Sequence, residues 1–158
     1  MSRDRNKTDF WIPMAGLFEI AKDAFFEDFR AELEQTEFAD IRPTHGCVFR
    51  FVKGDCKRLT DVAELAGMTK QSVGEIVDDL VARGYVKRIP DPDDKRAKII
   101  CLTDRGARAQ ATGLALFAKV EKQWAKRYGA ERIAQVRELL EEVAANEAPT
   151  AAPELTHA

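Results

Sequence analysis

The chain of 158 residues is long enough for one domain with a hydrophobic core, and its 45% apolar and 33% charged residues are typical of a soluble globular protein. No apolar run approaches the ~18 residues of a transmembrane helix, and residues 1–9 do not resemble a signal peptide, so we expect a cytoplasmic protein with no membrane partner. The formal net charge of −2 argues against indiscriminate nucleic-acid binding, and any DNA binding must therefore depend on a few locally placed basic groups.

The three cysteines, Cys47, Cys56 and Cys101, are widely spaced and odd in number. We therefore expect structural or surface thiols rather than a disulfide framework. No cysteine or histidine spacing indicates a zinc site. The sequence also lacks a recognisable nucleophile–base–acid set, phosphate loop or carboxylate pair, so we predict neither a cofactor nor an enzymatic activity.

Two helices are predicted in the first third of the chain, after a flexible N-terminus at residues 1–10. Apolar residues at helical spacing predict a long helix over residues 13–35, with Pro13 in its first turn. A shorter helix follows over residues 44–53 and is ended by Gly54. We assign residues 11–56 to dimerisation and to support of the segment that follows.

Two further helices, joined by a tight turn, are predicted next. Thr60 is expected to cap the first helix, which Gly67 ends, and Thr69 to cap a second helix that runs to about Arg83 and is closed by Gly84. Four apolar residues of the second helix form one inward stripe: Val73, Ile76, Val77 and Leu80. Two helices joined by a glycine-containing turn are typical of a helix-turn-helix.

A β-hairpin is predicted after the second of these helices. Residues 85–89 and 97–102 are strand-like and enclose a polar, turn-rich tip at residues 90–96. A hairpin appended to a helix-turn-helix is a wing. We therefore assign residues 57–103 to a winged helix-turn-helix DNA-binding lobe.

The rest of the chain predicts a C-terminal helical region at residues 104–143, capped by Thr103 and interrupted by Gly129. Its first helix has a predicted inward stripe of Ala107, Leu114, Phe117, Val120, Trp124 and Tyr128, and its last helix one of Ile133, Val136, Leu140 and Val143. Residues 144–158, rich in alanine and proline, predict a disordered tail. The fold class is therefore mainly α with a small β-hairpin wing (α+β), and the apolar content of both ends favours packing of the end helices across a two-fold axis.

Four stretches of the sequence resemble the MarR family of winged helix-turn-helix transcription regulators, and together they cover roughly residues 12–143. The stretches are RPTHG (42–46), LTDVAELAGMT (59–69), VDDLVARGYV (77–86) and the pair DPDDKR (91–96) with LTDRG (102–106). The last pair, an acidic and basic wing tip that leads to Leu-Thr-x-x-Gly, is the most specific of them.

The resemblance implies a homodimer whose first and last helices form the dimerisation region. It also implies a repressor of transcription that binds inverted-repeat operators in double-stranded DNA and is often released by a small aromatic ligand or by cysteine oxidation. Family members that sense peroxide often keep the reactive cysteine near the first helix. This chain has no cysteine there, so peroxide sensing is not expected.

The start of the second helix of the helix-turn-helix carries short polar side chains, as a recognition helix requires: Thr69, Lys70, Gln71 and Ser72. Gln71 can pair with adenine, Ser72 can reach a base or a phosphate, and Lys70 can contact phosphate. The alternative interpretation is that these residues only cap and solvate a surface helix.

The wing tip carries three further candidates that match the family motif. The resemblance implies that Arg96 enters the minor groove and that Asp94 orients it by an ion pair, while Lys95 can reach phosphate. The alternative is a charged tip that only keeps the hairpin soluble. Gly74 and Glu75 depart from the Thr-Arg that family members often have, which leaves base-level specificity open.

Two further questions stay open at this level. The aromatic residues near the start of the chain fit a ligand pocket, but also an ordinary core or a dimer interface: Phe10, Trp11, Phe18, Phe25, Phe26, Phe29 and Phe38. His45 fits a ligand contact or an ordinary polar position at a helix start. The second function considered is a winged helix that binds only other proteins.

Overall fold

The structure is a computed structural model that describes residues 11–147. Within these residues the chain forms six α-helices, a 3-10 turn and one three-stranded antiparallel sheet of order β1-β3-β2. The elements are α1 (Met14–Leu33), the 3-10 turn (Pro43–His45), α2 (Gly46–Phe51), β1 (Lys57–Arg58), α3 (Leu59–Ala66), α4 (Lys70–Ala82), β2 (Val86–Pro90), β3 (Lys98–Leu102), α5 (Asp104–Tyr128) and α6 (Ala130–Glu147). The predicted fold class, mainly α with a hairpin wing, is confirmed, and no helix in this range is long and apolar enough to cross a membrane.

The core of the molecule lies between α2, α3, α4 and the sheet. The predicted inward stripe of α4 is at its centre, since Val73, Val77 and Leu80 are completely buried, while Ile76 is partly buried beside them. Such alternation of buried and exposed residues at helical spacing is what allows α4 to present its opposite face to solvent. We use "the lobe" below for residues 40–103, which contain most of this core and the wing.

Two of the three predicted helix caps are confirmed, and the third prediction is wrong. The Thr69 hydroxyl accepts a hydrogen bond from the backbone N–H of Ser72 at 3.1 Å, and the Thr103 hydroxyl accepts one from that of Gly106 at 3.1 Å. Thr60 does not cap α3, because the helix already begins at Leu59 and Thr60 lies inside its first turn.

The Leu-Thr-x-x-Gly motif fixes the start of α5 against the end of α4. Thr103 donates its hydroxyl hydrogen bond to the carbonyl of Gly84 at 2.6 Å, and its backbone N–H donates to that of Tyr85 at 3.0 Å. A Cβ atom at Gly106 would lie only 2.0 Å from the Tyr85 carbonyl oxygen. The glycine is therefore required because the two backbones approach too closely for any side chain.

A strand that the sequence did not predict changes the assignment of two cysteines. β1 pairs antiparallel with β3, with Lys57 opposite Ile100 and Arg58 opposite Ile99. One step further along this register, Cys56 faces Cys101, and the two form a disulfide with their Cα atoms 4.4 Å apart. The expectation of three free thiols is therefore wrong for this pair, and only Cys47 is a free thiol.

The two ends of the chain differ from the prediction in detail. The second helix is shorter than predicted, because a 3-10 turn precedes it and Val52 is already extended. The last helix continues to Glu147, so the first four residues of the predicted tail are helical, whereas residues 1–10 and 148–158 lie outside the described range.

The inward stripe predicted for α5 is only partly correct. Val120 is buried, and Phe117 and Trp124 are partly buried, but three members of the stripe are exposed: Ala107, Leu114 and Tyr128. Among the residues of α6 whose side chains are described, none is buried. The apolar side chains at both ends of the chain are therefore only partly covered by the chain itself.

Candidate DNA-binding surface

The start of α4 presents the four predicted recognition residues, but in two different ways. The hydroxyls of Thr69 and Ser72 lie 2.8 Å apart and bond to each other as part of the helix cap. Lys70 and Gln71 are exposed, and the Gln71 amide lies 3.5 Å from a Glu75 carboxylate oxygen. The side chains that can reach outward without breaking the cap are therefore Lys70 and Gln71.

The wing tip carries Lys95 and Arg96 in exposed positions. The Asp94 carboxylate accepts a hydrogen bond from the backbone N–H of Arg96 at 3.0 Å, and the Asp94 carbonyl accepts one from Ala97 at 2.9 Å. The two side chains, Asp94 and Arg96, form no ion pair in the described part of the chain. Asp94 thus shapes the backbone of the tip, and the expected side-chain ion pair is not what holds Arg96.

A groove of about 370 Å³ separates the wing from the start of the helix-turn-helix. It is lined by Arg58, Leu59, Thr60, Lys70, Arg88, Arg96, Ala97, Lys98 and Ile100. Five of these nine residues are basic and none is acidic, so the groove concentrates positive charge on a protein whose net charge is negative. Lys70 and Arg96, predicted separately from the helix and the wing, are brought together here.

Three basic residues of this groove were missed by the sequence reasoning: Arg58, Arg88 and Lys98. They belong to β1, β2 and β3, so each strand of the sheet contributes one cation. Arg88 donates a hydrogen bond to the Asp78 carboxylate of α4 at 2.6 Å. Arg88 and Lys98 lie in the two predicted strands, but neither strand alternates basic and apolar residues, so the local pattern did not indicate their position in the groove. Arg58 precedes any predicted strand.

Beside α4, His45 is buried and uses both of its ring nitrogens within the protein. Nδ1 accepts a hydrogen bond from the backbone N–H of Arg42 at 3.0 Å, so Nε2 carries the hydrogen and donates to the Asp79 carboxylate at 2.8 Å. Burial lowers the pKa of His45, although Asp79 opposes this effect. Because both nitrogens are occupied, His45 supports α4 and is not available to a ligand.

The end of α4 is fixed by a second set of polar contacts. Arg83 donates to Asp79 at 2.9 Å and to the Asp40 carboxylate at 3.3 Å. Asp40 also accepts from the Tyr85 hydroxyl at 2.5 Å, and Arg105 donates to the same hydroxyl at 3.0 Å. These contacts join the turn before α2, the end of α4 and the start of α5, and so hold the recognition helix on the rest of the lobe.

Three of the aromatic residues near the start of the chain, Phe25, Phe26 and Phe29, pack on α5. Trp11 and Phe18 are exposed, and Phe38 packs on Tyr85 in the core. The rings of Phe29 and Phe117 stack with centroids 4.2 Å apart, and Phe25 meets Trp124 edge to face at 5.2 Å. The Trp124 indole donates to the Asp28 carboxylate at 2.8 Å. These contacts favour the core interpretation for this part of the stripe. Phe10 lies outside the described residues.

The arrangement of helix-turn-helix, wing and basic groove defines a winged helix-turn-helix protein. A model of the MarR family, MarR_2, matches residues 40–97. No curated protein matches the sequence at a significant level. The matched residues contain the helix-turn-helix and the wing tip, and the match agrees with the resemblance that the sequence motifs indicated.

Solved structures share the fold of this chain over 84–85% of its length. The reduced form of MarR from E. coli matches with a TM-score of 0.74 and 21% identity, over 85% of this chain and 98% of that chain. The transcriptional repressor CouR, bound to a 23-mer DNA duplex, matches with a TM-score of 0.70 and 22% identity, over 84% and 92%. A single-site mutant of MepR from S. aureus matches with a TM-score of 0.66 and 20% identity, over 85% and 98%.

Proposed function

We propose that this protein is a DNA-binding transcription regulator, a repressor, that binds an inverted-repeat operator as a homodimer. The observation that carries the proposal is the basic groove, which joins the exposed start of α4 to the exposed wing tip. The similar fold of CouR, a repressor with a DNA duplex bound, supports it. The proposal concerns binding rather than catalysis, and we expect the protein in the cytoplasm with its DNA.

The proposed mode of binding gives each part of the surface one task. The start of α4 enters the major groove, where Gln71 can read a base and Lys70 can contact a phosphate. Arg96 reaches the adjacent minor groove from the wing. The phosphate backbone between the two grooves of the duplex then passes the basic groove of the protein, where Arg58, Arg88 and Lys98 offset its charge.

The homodimer is proposed from the apolar side chains that one chain leaves exposed. At the N-terminal end these include Trp11 at 83%, Met14 at 70% and Phe18 at 53% exposed. The C-terminal end adds Val136, Leu139, Leu140 and Val143, each about half exposed. Exposed apolar side chains in this number favour a second copy, and a two-fold axis would place one recognition helix on each half-site, about one DNA turn or roughly 10 base pairs apart.

Release of the DNA by a small aromatic ligand is the most specific part of the proposal. It rests on the family resemblance alone. The binding of such a ligand is therefore to be tested only after an operator is in hand, by titration of the protein–DNA complex with simple aromatic acids.

The test of the proposal is selection of bound fragments from the genome that encodes the protein, followed by fluorescence-anisotropy titration of a selected duplex. Arg96→Ala should weaken binding of the selected duplex about 10-fold or more, because each subunit loses a minor-groove contact. Arg132→Ala, which removes an equal charge from α6, is the matched control and should bind like the parent. Thermal melts of both variants should equal that of the parent.

Substitutions of two neighbours of Arg96, Asp94 and Lys95, should give smaller or different losses of affinity in the same titration. Asp94→Ala should show a milder loss, because the tip backbone is loosened but the cation of Arg96 is retained. Lys95→Ala should weaken all sequences about equally and lower the salt dependence of binding by about one phosphate contact per subunit. If the genome selection returns no DNA, or if Arg96→Ala binds like the parent, the proposal fails and the protein-binding winged helix becomes the better account.

A further inference from the structure

A buried carboxylate, Asp91, stands at the neck of the otherwise exposed wing tip. Its side chain is only 4% exposed. One carboxylate oxygen accepts the backbone N–H of Asp93 at 2.9 Å, and the other accepts the Arg58 Nε–H at 2.6 Å. The backbone N–H of Asp91 donates to the carbonyl of Ala97 at 3.0 Å. Asp91 therefore stabilises the turn at the tip and connects it to Arg58, a residue outside the hairpin.

Arg58 is the residue to which the tip is tied, and it stands directly before α3. Its guanidinium side chain is 44% exposed and lines the basic groove together with Lys70 and Arg96. Only Nε is used by Asp91, so the terminal nitrogens of Arg58 face no hydrogen-bond partner within residues 11–147. The Arg58–Asp91 contact thus connects the chain that enters the helix-turn-helix to the part of the wing that carries Arg96.

The sheet itself is held together by contacts other than the Arg58–Asp91 ion pair. Cys56 is bonded to Cys101, and β1 pairs with β3 at residues 57 and 58. β2 and β3 pair along their whole length, from Val86 opposite Leu102 to Pro90 opposite Lys98. Since the sheet is held by these contacts, the effect of the ion pair falls on the segment beyond them, residues 91–97.

We propose that Asp91 is a positioning residue for DNA recognition, which holds the wing tip and Arg96 at a fixed distance from the recognition helix through Arg58. The inference rests on the proposed DNA-binding function and deepens it. Direct readout by α4 and minor-groove contact by Arg96 must be made to the same duplex at once, so their spacing decides whether both are satisfied. Loss of the tie should therefore lower affinity for the operator more than affinity for DNA in general.

The direction of the expected change in operator affinity distinguishes a positioning role of Asp91 from a simple effect of its charge. Asp91→Asn removes a negative charge beside the proposed DNA surface, which by itself should strengthen binding to every duplex. The proposal predicts the opposite for the operator: about 10-fold weaker binding of the selected duplex, with unchanged or slightly tighter binding of an unrelated duplex of equal length. Asp93→Asn removes the same charge from an exposed position of the same tip and is the matched control.

Arg58→Lys provides a second variant that keeps the cation in the groove but loses the Nε–H of the guanidinium. It should also weaken the operator complex selectively, with an unchanged salt slope. In the Arg58→Lys and Asp91→Asn double variant the loss should be no larger than in the worse single variant, because both changes break one contact.

The experiment uses the full chain, the selected duplex and an unrelated duplex at two salt concentrations, with thermal melts of every variant. Selective loss of operator binding at an unchanged melting temperature supports the proposal. Asp91→Asn binding the operator as tightly as Asp93→Asn overturns it, as does an equal loss on both duplexes accompanied by a lower melting temperature. A parent protein that selects no DNA removes the proposed function itself, a result distinct from either of these.

Discussion

The lobe and the helical ends of this chain differ in how completely a single copy buries its apolar residues. In the lobe, Val73, Val77 and Leu80 of the recognition helix have no exposed surface at all. At the ends, Met14 is 70% and Leu114 is 67% exposed, although both lie within regular helices. One chain thus buries the apolar residues at the centre of the lobe, whereas it leaves many of those at the ends exposed, as is expected of a surface that another copy covers.

The difference assigns separate tasks to the two regions. The polar contacts that hold the recognition helix, such as His45 with Asp79 and Arg83 with Asp40, all lie within or directly beside the lobe. The ends contribute apolar surface, together with contacts that join α1 to α5, such as Asp28 with Trp124. We expect changes in the ends to act first on assembly and changes in the lobe to act first on folding and DNA binding.

The largest effect should follow from removal of one end. Deletion of residues 1–35 should abolish dimerisation or folding, because it removes α1 together with Phe29 and Leu33, which pack on the core. A stable, folded dimer from this deletion would contradict the dimerisation role, and circular dichroism with sedimentation velocity would detect it.

A single substitution separates assembly from folding. Phe18→Lys places a charge on the exposed face of α1 and should shift the protein from dimer to monomer while the lobe stays folded. Val81→Lys also adds a charge, but at an exposed position of α4, and should leave the dimer intact. Light scattering coupled to size-exclusion chromatography distinguishes the two, and equal masses for both variants would remove the contrast between the regions.

The disulfide should have the next largest effect, and it should act on the lobe. Cys56 and Cys101 enclose the whole helix-turn-helix and most of the wing, with a separation of 45 residues. The chain-entropy model assigns such a crosslink about 4 kcal/mol of unfolding free energy. Urea unfolding of Cys56→Ser, or of the parent with dithiothreitol, should show this loss, whereas Cys47→Ser should show little. A parent that unfolds identically with and without reductant would contradict the crosslink.

Substitution of a glycine in α5 should have a slightly smaller effect on stability. A second glycine in the same helix provides a matched control. Gly106→Ala should destabilise the protein by about 3 kcal/mol, because the added Cβ meets the Tyr85 carbonyl and the backbones must separate. At Gly113 a Cβ would meet nothing within 4 Å, so Gly113→Ala should instead stabilise α5 by up to about 1 kcal/mol. Chemical unfolding of both variants gives the comparison, and equal signs would show that the approach at Gly106 is not as tight as described.

The smallest effect should come from pH. Burial holds the pKa of His45 below its usual value of about 6.5, so protonation is easier in the unfolded chain than in the folded one. The unfolded state then binds more protons, and stability should be full above about pH 7 and fall as the pH drops through 6.5 towards 5. Unfolding curves at pH 7.5 and 5.5 should show this loss in the parent and a smaller one in His45→Gln, while His157→Gln, which alters the only other histidine in the sequence, should behave like the parent.

The features that local patterns determine were predictable from the sequence. The stripe of α4, the caps at Thr69 and Thr103 and the two strands of the wing each depend on residues a few positions apart. The polar start of α4 indicated Lys70, the resemblance to the MarR family indicated Arg96, and both line the basic groove. Periodicity and capping chemistry are local signals, and local signals were sufficient for these elements.

Three contacts that the sequence missed join distant residues. Cys56 and Cys101 are 45 residues apart, His45 and Asp79 are 34 apart, and Arg58 and Asp91 are 33 apart. β1 has only two residues, too few to show an alternating pattern, so neither the disulfide nor the position of Arg58 in the groove could be anticipated. The exposure of Leu114 was missed for a related reason, because helical spacing identifies an apolar face but not whether the same chain covers it.

The most direct test of the contrast between the lobe and the ends is the mass of the protein alone and on a selected DNA duplex, measured by light scattering after size-exclusion chromatography. The account predicts twice the chain mass of 17.7 kDa for the free protein and two chains per duplex in the complex. It also predicts that Phe18→Lys lowers both the free mass and the affinity for the duplex. A parent protein that runs as a 17.7 kDa monomer and binds the selected duplex with one chain would contradict it.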